Sequence, residues 1–509
     1  MQFECNNKIN RLVICGGGTS GWMAAAMFAR MLGQQLEITL IESSQIATVG
    51  VGEATIPPIQ LFNKVLGIDE SEFLRETGAT IKLGIEFAGW GRPNDCYMHA
   101  FGELGMERGM ASFSHYWQRA YSEGRAGDFW DYSLNQRAAK AGKFAPLAQI
   151  PETPLAGLTY AYHFDASRYA ALLKRYSKNA GVRHLDTSIE RVQCNDNTGD
   201  IQALQLSDGA TLAGDFFIDC TGGRSLLLGQ ALGVDFEDYG HWLPCDRAIA
   251  LASQPMTSIA PYTRSVAHRT GWCWQIPLQH RTGNGVVYDS RRMSDDEALA
   301  LLKQQLPTEA AGEPNTIRFK TGRRARQWHK NCVALGLASG FLEPLESTSL
   351  HLVQSSVIRL VKCFPSTGVD DAVVDNYNRL ARDEFELIRN FIILHYHLNQ
   401  RDEPLWQACR DMNVPDDLAR RIELFRHSGL VFREQNELFT EPAWQQVMRG
   451  QGLVPAEYHR LSDAMPGDQL GEFMSNLDKI FANTVNKLPS HDQFLRHIAE
   501  GGSFRVKTG

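Results

Sequence analysis

Three glycines near the N-terminus stand at a spacing that suits the binding of a phosphate group. Gly16, Gly18 and Gly21 form a G-x-G-x-x-G pattern within "CGGGTSGW". Glycine permits a tight turn and a close approach of the backbone to a pyrophosphate, and a helix that begins at this turn favours negative charge. Glu42 follows about twenty residues later, at the position where a carboxylate accepts a hydrogen bond from a ribose hydroxyl.

The elements around these residues are those that a nucleotide-binding turn requires. "RLVIC" predicts a strand, "WMAAAMFARML" has the composition of a helix, and "LEITLIE" predicts a second strand that ends at Glu42. The glycines lie between the first strand and the helix. This βαβ unit favours dinucleotide binding over a purely structural glycine turn, and it suits FAD and NAD equally well.

Later strands favour FAD. "FIDCTGG" and "NCVALGLASG" each predict a buried strand that ends in a glycine or serine turn, far along the chain from the first unit. Several strands that each end in such a turn suit one cofactor that contacts several loops. We therefore predict an α/β fold of the large FAD-binding kind, with a Rossmann-type βαβ unit, like that of flavoprotein monooxygenases.

The pattern becomes helical from about Leu345. "STSLHLVQSSVIRLVKCF" predicts a helix that begins near Ser347 and is closed by Pro365, and further helical segments follow. We predict a mixed α/β module over 1–365 that includes part of the substrate pocket. A helical region over 366–509 is predicted to pack on this module and to complete the pocket.

Composition excludes several classes of partner. The 509 residues carry 51 Lys and Arg against 58 Asp and Glu, with no run of five like charges, so we expect no nucleic-acid partner. The ten cysteines show neither CxxC pairs nor zinc-like spacing, which predicts reduced thiols. No segment has the roughly 18 apolar residues of a membrane span, and the N-terminus lacks a signal-peptide pattern. We expect a cytoplasmic protein without a membrane partner.

Two histidines and two tryptophans need an interpretation of their own. His395 and His397 stand at i and i+2, so on a helix they diverge by about 200°; we expect core or hydrogen-bonding histidines and no metal site.

Trp272 and Trp274 in "GWCWQIPL" lie on one face of a predicted strand. Periodicity alone allows this indole pair to be ordinary core or the wall of a reaction chamber.

Four stretches resemble the signatures of flavin-dependent halogenases of the tryptophan halogenase type. They are "VGVGEATIP" (49–57), "ATIKLGIEFAGW" (79–90), "GWCWQIP" (271–277) and "SGFLEPLESTS" (339–349). The similarity runs from the glycine motif through "HYHLNQRDEPLW" (395–406).

The resemblance implies a two-component enzyme. In this family a separate NAD(P)H-dependent flavin reductase supplies FADH2 by transient flavin transfer. FADH2, O2 and chloride or bromide then yield hypohalous acid, which travels through a tunnel to an electron-rich, indole-like arene. The resemblance leaves a monomer or a homodimer open.

Two residues match the family's catalytic pair. Lys82 aligns with the essential lysine, which hydrogen-bonds the hypohalous acid or forms a haloamine with it, and a buried lysine shifts its pKa readily. Glu346 aligns with the glutamate that orients the oxidant or accepts the proton lost from the arene, which a partly desolvated carboxylate can do. Taken alone, Lys82 would be a surface lysine and Glu346 a first-turn acid of a helix.

The remaining site residues follow from the same alignment. Ser347, Thr348 and Ser349 are assigned to the halide, because hydroxyl and N–H groups at a helix start hold anions; Ser349 replaces the family's usual glycine. The implied FAD contacts are Gly16, Gly17, Gly18, Thr19, Ser20, Gly21, Glu42, Ser43, Ile46, Val49, Glu53, Ala54, Leu337 and Leu350.

The resemblance implies only some of the residues that bind the substrate. His99 and Phe101 match positions that line the family's indole pocket, where a planar guest stacks between rings. Trp444 and Gln445 stand where tryptophan-specific members carry a tyrosine pair that helps hold the amino acid's polar end, so an indole, a phenol or a peptide- or carrier-borne arene fits as well as free tryptophan. The barrier that keeps substrate from the flavin is implied for Trp272, Trp274, Ile276 and Pro277.

Two other functions stay open at this point. A flavin-dependent aromatic monooxygenase of one component would insert oxygen instead of halogen, although the sequence shows no second nucleotide fingerprint. A catalytically inactive flavin-binding sensor would have no reason to retain both Lys82 and Glu346.

Overall fold

The computed structural model describes residues 8–45 and 53–502. Its strands, in chain order, are β1 (Arg11–Cys15), β2 (Glu37–Glu42), β3 (Glu53–Ala54), β4 (Thr80–Lys82), β5 (Gly84–Ala88), β6 (Cys96–Ala100), β7 (Ala161–Phe164), β8 (Arg183–Asp186), β9 (Ile189–Cys194), β10 (Ile201–Leu206), β11 (Thr211–Ala213), β12 (Phe216–Asp219), β13 (Phe236–Asp238), β14 (Arg247–Ser253), β15 (Thr263–His268), β16 (Gly271–Pro277), β17 (Thr282–Tyr288), β18 (Asn315–Arg318), β19 (Gly322–Arg324), β20 (Trp328–His329), β21 (Cys332–Ala334) and β22 (Gly340–Phe341).

The α-helices between and after these strands are α1 (Thr19–Leu32), α2 (Pro58–Leu66), α3 (Glu70–Thr77), α4 (Phe113–Ser122), α5 (Leu134–Lys140), α6 (Ala166–Asn179), α7 (Asp295–Gln305), α8 (Ser349–Lys362), α9 (Asp371–His397), α10 (Pro404–Asp411), α11 (Asp416–Ser428), α12 (Glu441–Gly450), α13 (Gly467–Lys487) and α14 (His491–Ala499).

A six-stranded sheet carries the predicted βαβ unit. Its order is β20-β21-β12-β1-β2-β8, and every pairing is parallel except that of β20 with β21. The central strands are continuous apolar runs because both faces of the sheet are covered, one by α1, α6 and α8 and the other by β10 and the turn Leu226–Ala231. The predicted Rossmann-type fold is therefore confirmed, and β12 and β21 are the two later strands expected to join it.

A seven-stranded sheet carries the tryptophan strand. Its order is β18-β14-β17-β16-β15-β5-β6, so β16 lies inside the sheet, between two antiparallel neighbours. Trp272 and Trp274 face one buried cluster together with Trp90 and Phe391. Their predicted common face is confirmed.

A third, small sheet brings distant segments of the chain side by side. Strand β7 pairs with β3 on one edge, where Ala54 lies opposite His163, and with β4 on the other, where Lys82 lies opposite Ala161. The stretch that follows Glu42 and the strand of Lys82 thus share one partner strand.

In the segment after residue 365, the regular elements of the described part, which ends at residue 502, are all helices joined by loops. Its helices pack back onto the earlier elements: α12 lies against β6, α13 against α4 and α5, and α14 against α3. The division at residue 365 stays a prediction. Within the described residues, no helix is both long and apolar enough to cross a bilayer.

The starts of α6 and α8 follow from local backbone and side-chain chemistry. Asp165 caps α6, because its carboxylate accepts from the N–H groups of Ser167 and Arg168. Helix α8 begins at Ser349 instead of near Ser347, because Ser347 adopts a left-handed backbone conformation with φ of 59°. A short 3-10 turn, Pro344–Glu346, precedes it.

Candidate active site

Lys82 is a buried lysine at the end of strand β4. Its side chain is fully buried, and Nζ donates to Oγ of Ser347 over 2.7 Å. The ammonium also lies 5.3 Å from the centre of the Phe101 ring. Three residues from separate parts of the sequence therefore meet at one amine, and the surface-lysine interpretation is wrong for this position.

Glu346 lies beside Lys82 and is held by two histidines. His99 on β6 contacts one carboxylate oxygen through Nδ1 at 2.8 Å, and His395 on α9 contacts the other through Nε2 at 2.7 Å. Only 1% of Glu346 is exposed. Both oxygens thus have fixed partners, which orients the carboxylate.

Burial and charge move the pKa values of this pair in ways that matter for chemistry. Burial lowers the pKa of Lys82 to about 7, although the charge of Glu346 opposes the shift. Burial alone would raise the pKa of Glu346, but His99 and His395 outweigh it and lower the pKa to about 2. The glutamate is therefore ionised at neutral pH, while the lysine is poised between amine and ammonium.

The lowered pKa of Lys82 predicts a pH-dependent cost to stability. Between pH 7 and the ordinary value of 10.5, the unfolded chain holds a proton on this lysine that the folded chain releases, so stability rises with pH across that window. Lys82→Met is expected to raise the free energy of unfolding by about 2 kcal/mol at pH 6 and by much less at pH 10.

Urea unfolding of the FAD-free protein at both pH values measures this effect. Lys64→Met, on the exposed face of α2, is the matched control. Equal effects of Lys82→Met at the two pH values would contradict the assignment of a buried, depressed lysine.

The assigned halide residues form the start of α8. Ser347 and Thr348 are buried, and no side chain caps the helix. Its first turn carries no acidic residue, so the end of the helix dipole is uncompensated. These features are compatible with an anion at this turn; halide binding by Ser347, Thr348 and Ser349 stays a prediction.

The tryptophan pair lies next to this turn. The Trp272 and Trp274 rings are 6.1 Å apart, and Trp272 donates its indole N–H to Glu343 over 2.9 Å. Trp274 keeps a buried indole nitrogen without a partner among the described residues. A Cβ on Gly285 of the neighbouring strand would lie 2.1 Å from the Trp274 ring, so this position requires glycine.

The same strand is tied to the lysine strand. The carbonyl oxygen of Pro277 accepts from Oγ1 of Thr80 over 2.6 Å, and Thr80 lies two residues before Lys82. Ile276 is 7% exposed and packs in the same cluster as the tryptophans. The proposed barrier residues thus form a rigid wall, and their barrier function stays a prediction.

The glycine turn fits the pyrophosphate of a dinucleotide. A Cβ at Gly16 would lie 2.2 Å from the Cys220 carbonyl oxygen, and one at Gly21 would lie 1.9 Å from that of Gly16. A Cβ at Gly18 would meet nothing within 4 Å, so the turn is open there. Helix α1 begins at Thr19 without a side-chain cap or a first-turn acid, which leaves its N-terminus available to an anion.

Other implied FAD contacts lie around this turn. A Cβ on Gly17 would meet the Glu42 carboxylate, and the same carboxylate is paired with Lys174 and accepts from the Trp22 indole. A Cβ on Gly336 would lie 2.3 Å from Oγ of Ser20, so the turn before Leu337 packs on the glycine turn.

The remaining predicted FAD contacts differ in their surroundings. Leu337 is 46% exposed whereas Leu350 is 6% exposed and belongs to the core. Burial raises the pKa of Glu53 to about 7, and Ala54 is buried next to it on β3. Ser43 follows β2 directly. Ile46 and Val49 lie outside the described residues.

The predicted substrate residues do not all reach the lysine. Phe101 contacts Lys82, and His99 contacts the neighbouring Glu346. Trp444 is 1% exposed, donates its indole N–H to Glu437, and packs edge-on against Phe391 at 4.8 Å. Phe391 lies 5.5 Å from His99, so Trp444 is one layer behind the site, and its contact with substrate stays a prediction.

Two site residues were missed by the sequence analysis. His395 was expected to be a core or hydrogen-bonding residue, which is confirmed, but its partner Glu346 lies 49 residues away and no local pattern links them. Glu343 is fully buried, accepts from Tyr396 and Trp272, and has its pKa raised by burial to about 7. Its position in "EPLEST" was the available signal.

No group of three or more His, Cys, Asp or Glu residues within 8–45 and 53–502 is arranged to hold a metal ion.

Comparison with known proteins identifies close relatives of this architecture. The family model "Tryptophan halogenase" matches residues 11–467, which extends well beyond the motifs that carried the resemblance. The solved structure of Xcc4156, a flavin-dependent halogenase from Xanthomonas campestris, is 46% identical, with a TM-score of 0.94, and covers 98% of this chain and 99% of its own.

Two further relatives agree with this match. BrvH, a flavin-dependent halogenase from Brevundimonas sp. BAL3, is 40% identical with a TM-score of 0.93 over 96% of this chain and 99% of its own. Tryptophan 7-halogenase RebH of Lentzea aerocolonigenes is 32% identical over 96% of this chain and 99% of its own length.

Proposed function

The chain belongs to the tryptophan halogenase family of flavin-dependent halogenases, and from this premise we propose that it replaces an aromatic C–H by C–Cl or C–Br. Its substrate is an electron-rich, indole-like arene. The observation that carries the proposal is the buried pair of Lys82 and Glu346 beside the start of α8.

Reduced FAD, when bound, supplies two of the four electrons that reduce O2 to the level of water, and the halide supplies the other two as it becomes hypohalous acid. The glycine turn and the free N-terminus of α1 hold the pyrophosphate of this cofactor. The start of α8, with Ser347, Thr348 and Ser349, holds the halide. The indole wall of Trp272 and Trp274 keeps the arene and bulk water away from the flavin.

Lys82 receives the oxidant, by hydrogen-bonding it or by forming a haloamine. A pKa near 7 supports either role, because ammonium donor and free amine are both populated at neutral pH. The hydrogen bond from Lys82 to Ser347 holds the amine beside the residues assigned to the halide.

Glu346 takes the proton that the arene loses after attack on the halogen. Its low pKa makes it a weak base in isolation, but the arenium intermediate is a strong acid, so an oriented carboxylate suffices. His99 and His395 fix both oxygens and thereby set the direction of the proton transfer.

The partner of this enzyme is a separate NAD(P)H-dependent flavin reductase that delivers reduced FAD. We place the enzyme in the cytoplasm, which its cysteines support: nine are present as free thiols in the described part of the chain.

A reconstituted assay tests the proposal. The protein, FAD, a flavin reductase, NADH, O2 and bromide are incubated with a panel of indoles and phenols, and mass spectrometry is used to seek the bromine isotope doublet. We expect brominated product that depends on both bromide and the reductase. Without the reductase, the protein is expected not to consume NADH.

Two results would contradict the proposal. Hydroxylated product that forms without halide would favour an aromatic monooxygenase. Oxidation of flavin without any hypohalous acid that a nucleophilic dye can trap would favour a flavin-binding protein without halogenase activity.

A further inference from the structure

The short strand that carries Lys82 lies at the edge of its sheet. Among the described strands, β4 pairs with β7 alone, and Thr80, Ile81 and Lys82 are all fully buried. The outer edge of a buried strand presents backbone N–H groups that need partners from elsewhere in the fold. The position of the Lys82 amine therefore depends on what contacts the outer edge of β4.

His491, the first residue of α14, is such a partner. The backbone N–H of Ile81 donates to Nε2 of His491 over 3.1 Å, and Nδ1 of His491 lies 2.8 Å from the carbonyl oxygen of Ile259. A carbonyl oxygen only accepts, so the ring proton is on Nδ1 and Nε2 is the acceptor. Burial lowers the pKa of His491 to about 4, which keeps the ring neutral at neutral pH, as both hydrogen bonds require.

The segment 259–261 connects α14 to the other side of the lysine. Oδ1 of Asp492 accepts from the N–H of Ile259 over 3.2 Å, so two successive residues of α14 engage both backbone polar groups of Ile259. The carbonyl oxygen of Pro261 accepts from the N–H of Leu83 over 2.7 Å. The backbone on both sides of Lys82 is therefore held by α14, directly before it and through this segment after it.

The start of α14 is itself fixed in place. Ser490 and Gln493 form a capping box, and the N–H of His491 donates to the carbonyl oxygen of Gly142 over 2.8 Å. The helix also packs against α3. The match to the family model ends at residue 467, so it does not include α14.

We propose that His491 is a positioning residue for halogenation, which fixes the backbone of β4 so that the Lys82 amine stays where it receives the oxidant. This inference rests on the proposed function and adds to it a residue beyond the segment that the family model matches. His491 acts through Ile81, since both of its ring nitrogens bond to backbone groups. A displacement of a reacting group by about 1 Å can lower a rate by about a hundredfold, so a bond to the neighbouring residue is enough to affect the reaction.

Two substitutions of His491 separate hydrogen bonding from packing. His491→Phe keeps a ring of similar size and removes both bonds, whereas His491→Gln retains one acceptor and one donor. We expect kcat for bromination to fall by about tenfold to a hundredfold in His491→Phe and to stay within about threefold of wild type in His491→Gln. FAD binding and the KM for the arene should change by less than about twofold in both variants, because His491 lies behind β4. His497→Phe, at an exposed position of the same helix, is the matched control.

The escape of oxidant distinguishes positioning from a general loss of structure. In the complete assay with reductase and bromide, the hypobromous acid that a dye traps in solution is divided by the brominated arene. A displaced amine leaves the formation of oxidant intact and lets more of it escape, so this escape ratio should rise by about tenfold in His491→Phe. A variant that only contains less folded protein lowers both quantities together and leaves the ratio unchanged.

Asp492→Ala tests the same connection in a protein that keeps the His491 ring. Asp492 is partly exposed, and its substitution removes only the bond to the N–H of Ile259. We expect the escape ratio to rise by about twofold to threefold.

An escape ratio in folded His491→Phe equal to that of wild type would overturn the proposal, as would a ratio in His491→Gln as high as that in His491→Phe. Should His491→Phe fail to fold, a wild-type ratio in Asp492→Ala overturns it instead. Brominated product from wild type and from His497→Phe shows that the halogenase itself works, so failure of the positioning role and failure of the proposed function are distinguishable.

Discussion

Lys82→Ala is expected to lose halogenated product by more than about a hundredfold while it still binds FAD. The buried amine is the only lysine that the described structure brings against Ser347 and Glu346, and no neighbouring side chain can replace it. Hypohalous acid that the variant forms should escape into solution, because its acceptor is gone.

Three measurements check this expectation. Mass spectrometry follows the brominated arene, flavin fluorescence follows FAD binding, and a dye in solution traps free hypohalous acid. Lys82→Met is a second variant. Its apolar side chain has a length similar to that of lysine, so it fills the space that Lys82→Ala would leave empty. Lys64→Ala, on the exposed face of α2, is the matched control. Unchanged turnover in a folded Lys82→Ala protein would refute the assigned role.

Opening the indole wall is expected to shift the reaction from halogenation toward oxygenated product or uncoupled peroxide. Trp272→Ala with Trp274→Ala removes two rings that are 2% and 8% exposed, and each truncation costs about 3 to 5 kcal/mol of stability. Trp272→Phe with Trp274→Phe retains a smaller ring at each position and removes the indole donor to Glu343.

The ratio of peroxide plus hydroxylated product to brominated product measures the effect, normalised to NADH consumed. Trp328→Phe, at a fully buried tryptophan of the other sheet, controls for a general loss of packing. A folded, FAD-binding variant of the pair with an unaltered product ratio would assign Trp272 and Trp274 to ordinary core.

The structure adds a reason for the rigidity of this wall. Trp272 is anchored by the buried carboxyl of Glu343, and Tyr396 holds the same carboxyl oxygen from α9. Thr80 joins the far end of strand β16 to the strand of Lys82. The indole wall and the amine of Lys82 are therefore positioned by one continuous set of contacts, although they lie far apart in sequence.

The sequence by itself determined the features that depend on short-range chemistry. The glycine spacing and the alternation of Trp272 and Trp274 follow from backbone geometry over a few residues, and each agrees with the structure. The resemblance then identified Lys82 and Glu346 as a pair, which residue types alone would have left as a surface lysine and a helix-start acid.

Only the tertiary structure decided what surrounds these residues. The bonds from Glu346 to His99 and His395 span 247 and 49 positions, and that from Lys82 to Ser347 spans 265. Such contacts arise where β4, β6 and α9 meet the turn before α8, and no periodicity in the sequence encodes that meeting. The shifted pKa values follow from the same cause, because desolvation is a property of the assembled core and not of the residue type.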